Sequence, residues 1–190
     1  MANPTNPKID PNLTWKKVEE RLKSETNPKI RNNLEQVLKH MKAEAVADID
    51  GLLETISPEG TMYRFFGSPD EDTSECHDHA DVRAFYENFV ASGATKLQLD
   101  VDRLVADEDC VITEGIMRMA YPGATLQAMG HEVDDPAAFY LYETRMCVIW
   151  PAGADGRMTG EETYTGRDGF EGIADRKLTA DDLGELDLAS

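Results

Sequence analysis

A chain of 190 residues with 41% apolar content is long enough to fold around one sizeable core. Its formal net charge of −18 excludes nucleic acid and anionic membrane as partners, because both are held by basic surfaces. Three widely spaced cysteines (Cys76, Cys110 and Cys147), no apolar run of membrane-spanning length and no leader-like opening together predict free thiols in a cytoplasmic protein.

Residues 1–13 hold three prolines and three asparagines and are expected to be extended or disordered. Thr14 is placed to cap a helix over 15–25 with Trp15, Val18 and Leu22 on one face. Pro28 suits the first turn of a longer helix whose stripe is Ile30, Leu34, Val37, Leu38, Met41 and Ala45, with His40 at the stripe's edge. Asp48 starts a short helix that turns Ile49, Leu52, Leu53 and Ile56 inward, and Pro58 and Gly60 end it. Residues 61–66 read as a strand in which Arg64 sits among Met62, Tyr63, Phe65 and Phe66. Asp78 caps a helix running through Ser92, with Val82, Phe85, Tyr86, Phe89 and Val90 as its apolar stripe and Gly93 as its stop. Two acidic stretches, 69–75 and 179–190, are expected to be solvated and mobile.

From residue 96 onward the pattern changes to sheet. Leu97, Leu99 and Val101 alternate with polar residues, a turn follows at 106–109, and 110–121 returns as the second arm of a hairpin. Residues 122–138 read as an unusually long loop. A third strand covers 139–150 and a fourth 157–166, and Cys110 and Cys147 read as small buried hydrophobes within these runs. Helices first and a strand meander after is an α+β order, and the sheet has to curl round the helices to bury both inner faces.

The stretches ADIDGLLETISPEGTMYRFFGSP, HADVRAFYENFVASG and VIWPAGADGRMTGEETYTG, in that order and spacing, resemble the nuclear transport factor 2-like superfamily. That superfamily includes ketosteroid isomerases, SnoaL-type polyketide cyclases, scytalone dehydratase and limonene epoxide hydrolase. The resemblance covers residues 29–170, leaving 1–28 as an extension with a short helix and 171–190 as an acidic tail. It implies a cone-shaped, curved antiparallel sheet wrapped around three helices, with an extra N-terminal helix. It also implies a mostly apolar pocket at the cone's mouth and a homodimer or higher homo-oligomer. By resemblance to ketosteroid isomerase, Arg64 falls near the general-base carboxylate, His40 near the tyrosine that donates to the oxyanion, and Arg145 near the second donor. A guanidinium cannot serve as a base, so the charge logic of that enzyme is not kept.

The strands add candidates. Phe139, Leu141, Glu143, Arg145, Cys147 and Ile149 share one face of a strand, as do Ile112, Glu114, Ile116 and Arg118. These charges either form a cross-strand ladder facing solvent or line the pocket. Tyr63 and Arg64 alternate, so one faces the cavity, and the expectation puts Arg64 inward. His40 is either a packed histidine or the titrating group of the pocket. The ligand types in CHDH (76–79) suit zinc, but the spacing is too tight for a chelate and Asp78 is needed as a cap, so no metal is expected; His79 stays as a pocket-rim candidate. His131 is either a surface residue or a group that closes over a ligand. Tyr63, Phe65, Tyr86, Met117, Met119 and Tyr142 are the candidate substrate contacts, and Met129 could join an adaptable apolar wall.

No phosphate loop, dinucleotide fingerprint or Ser–His–Asp arrangement is present, so the expected reaction needs no cofactor. The expected activity is an acid–base lyase or isomerase acting on a bulky, apolar, aromatic small molecule by elimination, dehydration or retro-aldol cleavage. Formaldehyde loss from lignin-derived diaryl compounds is one family precedent. Arg64 and Arg145 would hold the oxygen that gains charge, His40 would move the proton, and Glu114 or Glu143 would orient a group or act as second base. Two alternatives stand beside it: a non-catalytic scaffold that binds a ligand or a protein segment, and a polyketide cyclase, whose acid–base carboxylate the sequence does not place.

Overall fold

A computed structural model describes residues 7–67 and 75–188. In chain order its elements are helix α1 (Lys16–Leu22), α2 (Pro28–Ala45), α3 (Ile49–Glu54), strand β1 (Met62–Phe66), β2 (Glu75–Cys76), α4 (His79–Ser92), β3 (Leu97–Ala106), β4 (Cys110–Pro122), α5 (Gly123–Ala128), β5 (Phe139–Pro151), β6 (Gly160–Thr165) and β7 (Lys177–Leu178). The sheet runs β2-β1-β6-β5-β4-β3, with β7 added to β5. Its pairings are antiparallel apart from β1 beside β6, which is parallel. This is the curved α+β architecture that the sequence order predicts, with the sheet left unclosed.

Several helix boundaries follow from local chemistry. The Asn27 side chain accepts from the Lys29 N–H just before Pro28, and the Asp48 side chain accepts from the Gly51 N–H. Asp78 accepts from the N–H groups of both Ala80 and Asp81, and Gly93 closes α4 at φ 74. Thr14 does not cap α1. Trp15 holds that position, and the Thr14 hydroxyl accepts from the Leu99 N–H at 3.2 Å, tying the chain to β3.

The inner face of the sheet carries Leu99, Val101, Val111, Val148 and Trp150, which pack on Trp15, Val18, Leu34, Val37 and Met41 of α1, α2 and their approach. A second cluster joins Leu52, Leu53, Ile56, Tyr63, Val82 and Tyr86. Cross-strand register then decides every neighbour's face. Tyr63 pairs with Glu161 and Phe65 with Thr163, so these four point inward; Arg64 pairs with Glu162 and Phe66 with Tyr164, so these point outward. Gly160 lets β1 and β6 approach: it sits at φ +141, and a Cβ there would lie 2.0 Å from the Met62 carbonyl oxygen.

Four expectations about the periphery are corrected. The long connection at 122–138 contains α5. Residues 7–13 are not extended coil but form a 3-10 turn over Pro11–Leu13, and Ile9 is buried and bridges in parallel to Leu183. The acidic tail is docked rather than free: Thr179 and Asp182 form a capping box, and the Asp187 N–H donates to the Asn12 side chain at 2.7 Å. Ile9, Leu178 and Leu183 thereby cover Phe139 and Leu141 at one end of β5. Cys76 is the buried thiol, while Cys110 and Cys147 are half-buried. The other acidic stretch lies almost wholly outside the described residues.

Candidate functional site

A cavity of about 730 Å³ opens between α2, α4 and the inner face of the sheet. Its walls are largely apolar, with Phe65, Phe85, Phe89, Met117, Met119 and Trp150 among them. Two carboxyl groups, Glu44 and Glu161, stand in this lining with the Tyr86 hydroxyl beside them, and its other polar residues, such as Asn88, Thr125 and Thr163, are uncharged.

Glu44, Tyr86 and Glu161 are each aimed inward by secondary structure. Glu44 lies one helical turn after His40 and three residues after Met41, so it continues the buried face of α2. Tyr86 lies one turn after the buried Val82 on α4. Glu161 alternates with Thr163 on the inner face of β6.

His40 is fully buried behind them. Its Nδ1 lies 2.8 Å from Thr55 Oγ1, and its Nε2 lies 3.0 Å from Glu161 Oε1 and 3.2 Å from the Tyr86 hydroxyl. The Tyr86 hydroxyl donates to Glu161 Oε1 at 3.2 Å. The Thr55 hydroxyl has one proton and donates it to the Leu52 carbonyl at 2.6 Å. It can therefore only accept from the ring, which places a proton on His40 Nδ1. Nε2 is left facing Glu161 Oε1 and the Tyr86 hydroxyl. Trp150 sets its ring edge-on to His40 at 5.4 Å and donates its N–H to Thr113 at 3.0 Å.

The two carboxyl groups differ. Glu161 has His40 and Tyr86 as partners. Glu44 makes no hydrogen bond or ion pair among the described residues. Burial, and then the charge of Glu161, pushes the Glu44 carboxyl up to about 8, so it carries a proton at neutral pH. The same two causes push the Tyr86 and Tyr63 hydroxyls well above the usual phenol range. The Tyr63 hydroxyl is buried with no hydrogen bond of normal geometry among the described residues.

The Thr55 bond has a direct spectroscopic consequence. Imidazole 15N NMR is expected to show Nδ1 protonated in the wild type, loss of that tautomer preference in Thr55→Val, and its return in Thr55→Ser. An unchanged tautomer in Thr55→Val would show that the hydroxyl does not set it.

Of the residues singled out from the sequence, Phe65, Tyr86, Met117, Met119 and Met129 line the cavity and His40 backs it. Tyr63 points inward but is packed behind the wall, the reverse of the expected Tyr63 and Arg64 orientation. Arg64 is 39% exposed on the outer face and pairs with Glu75 and Glu162. Arg145 is 44% exposed and pairs with Asp102 and Glu114; Glu114 also meets Arg103, and Glu143 meets Arg118. These four outer-face residues are engaged in cross-strand ion pairs and cannot reach the cavity. Arg64→Met is accordingly expected to leave turnover unchanged and to shift stability by less than about 1 kcal/mol in denaturant melts.

The remaining candidates also sit apart. The His79 Nε2 lies 3.2 Å from the Ile56 carbonyl. Tyr142 packs on Tyr121 and Phe170, and His131 stacks on Phe170 at 5.0 Å. Within CHDH, Asp78 caps α4 and His77 faces Glu75, so the motif's side chains diverge.

The family model for the SnoaL-like domain matches residues 37–169. The chain belongs to the SnoaL-like family. No curated protein matches it significantly. Among solved structures, it is similar to a protein assigned as a SnoaL-like polyketide cyclase from Jannaschia (TM-score 0.57, 18% identity, 75% of this chain and 91% of that one). It is also similar to an LEH-like epoxide hydrolase from M. tuberculosis (TM-score 0.57, 16% identity, 78% and 94%). A third, assigned as a SnoaL-like polyketide cyclase from Shewanella putrefaciens, has TM-score 0.61 at 12% identity over 84% and 92%. At such identities these likenesses show the nuclear transport factor 2-like fold alone. Glu44 and Glu161 of this SnoaL-like chain were not found by sequence reasoning, although both lie inside the matched segment. No helix among the described residues is long and apolar enough to cross a membrane.

Proposed function

We propose that this SnoaL-like protein is an acid–base isomerase, lyase or cyclase acting on a bulky, largely apolar small molecule that bears an activated C–H bond. The observation that carries this reading is two carboxyl groups facing one apolar cavity in different protonation environments: Glu161 held by His40 and Tyr86, and Glu44 unpartnered and proton-bearing. Environments that push two such groups apart divide the labour between base and acid. Glu161, held by His40 and Tyr86, accepts a proton from a carbon next to a carbonyl. Glu44 donates to the oxygen on which charge gathers, so the enolate forms against largely apolar walls.

This assignment moves the chemistry from the outer-face arginines to inner-face carboxylates. It supplies the acid–base carboxylate that a cyclase reading requires, and it favours a catalytic role over a passive scaffold. A docking surface has no need to bury ionisable groups around an open hollow. The reading is tested by solvent exchange with enolisable aryl ketones. In D2O the α-protons of 2-tetralone are expected to be lost from the 1H NMR spectrum faster with the protein than in buffer alone. No acceleration with 2-tetralone or with aromatic β-hydroxy ketones would remove the acid–base reading.

A further inference from the structure

The distribution of charge around the hollow restricts what it can take. Glu44 and Glu161 are the ionisable carboxyls among its described lining residues, and no lysine or arginine lines it. The guanidinium groups nearest in sequence to the lining positions, Arg64, Arg118 and Arg145, are all committed to ion pairs with outer-face carboxylates. An anionic ligand would thus meet two carboxyl groups in a low-dielectric wall, without a compensating cation, inside a protein of net charge −18. A cationic ligand gains little in return. At the polar end Glu161 is already engaged by His40 at 3.0 Å and by the Tyr86 hydroxyl, so an ammonium would lose its hydration without finding a free counter-ion. Glu44 is the remaining carboxyl, and it has no hydrogen-bond or ion-pair partner among the described residues.

We infer that the cavity selects uncharged ligands presenting an acceptor oxygen, such as a ketone, ester or ether, to Glu44, and rejects carboxylates and phosphates. This rests on reading the cavity as the substrate site, and it deepens that reading by naming the charge class of the substrate. Glu44 sets the selection: while it holds its proton it donates to a neutral oxygen, and once it ionises it repels anions further. The groups that face it are Glu161, with His40 and Tyr86 behind; the lining contributed by α4 and the strands is otherwise uncharged.

Three probes on one bicyclic skeleton separate the possibilities: 2-tetralone, tetralin-2-carboxylate and 2-aminotetralin, with dissociation constants measured by calorimetry at pH 7 and pH 9. The ketone is expected to bind most tightly at pH 7, by about tenfold or more over either ion. At pH 9 the carboxylate's deficit widens and the amine's narrows, and Glu44→Gln removes both shifts. A carboxylate that binds as well as the ketone overturns the exclusion of anions. An amine that binds best at pH 7 overturns the preference for neutral ligands. Both results leave the acid–base reading standing, because the assay needs no turnover. Failure of all three to bind would overturn the cavity as a ligand site, and the proposed function with it.

Discussion

Glu161→Gln is expected to lower the rate of α-proton exchange by about a thousandfold while leaving a folded protein. The substitution keeps the side chain's shape and can still accept from Tyr86, but a neutral amide takes no proton from carbon. It also removes the carboxyl partner of a fully buried His40, which costs about 1–3 kcal/mol of stability. Loss of activity and loss of stability are therefore both predicted, in very different proportion. Stopped-flow or NMR exchange rates alongside urea melts give both numbers. A variant that melts like the wild type and retains exchange within about tenfold would show that Glu161 is not the base.

Glu44 makes the protein's response to alkali distinctive. Its folded-state value of about 8 lies above the ordinary 4.5, so between these limits the folded chain binds more protons at this site than the unfolded chain. Stability from this group is full below about 4.5 and is lost as pH rises through about 8, with a slope of at most about 1.4 kcal/mol per pH unit. As proton donor, Glu44 also ties activity to its protonated form, so kcat/KM is expected to fall above about 8. Glu44→Gln should flatten the stability slope in that window and lower the rate at every pH. A wild-type protein that gains stability from pH 5 to pH 8 by the same increment as Glu44→Gln would contradict the raised value.

Much of the fold was legible in the chain, for identifiable reasons. The stripes of α2 and α4 and the caps at Asp48 and Asp78 are local signals, and local signals survive into the structure. The orientation of the sheet was not local. Both faces of β5 carry apolar residues, and Phe139 and Leu141 look core-like because the chain termini fold back to cover them. The proline-rich start and acidic end gave no compositional sign of that docking. Alternation alone leaves the charged face of β4 and β5 open to a solvent-facing ladder or a pocket lining, and register decides for the ladder; on β1 it turns Tyr63 inward and Arg64 out.

The overlooked carboxylates left traces of their own. Two adjacent glutamates, Glu161 and Glu162, fall on a strand with period-two burial, which requires one of them to face the core. Glu44 stands seven residues after Val37 and three after Met41, beside the stripe that runs on to Ala45, so helical spacing alone places it at the edge of the buried face. His40 could be located near the pocket but not its partners, since Thr55, Tyr86 and Glu161 come from three different elements.

The central claim is that an unpartnered carboxyl, Glu44, carries a proton beside Glu161 in a largely apolar hollow. Carbonyl 13C NMR of selectively labelled glutamate, assigned through Glu44→Gln, measures it directly. The Glu44 carboxyl is expected to titrate near pH 8 in the wild type and distinctly lower once Glu161→Gln removes its neighbour's charge. Titration of Glu44 in the ordinary range of about 4–5, unchanged by Glu161→Gln, would contradict the account.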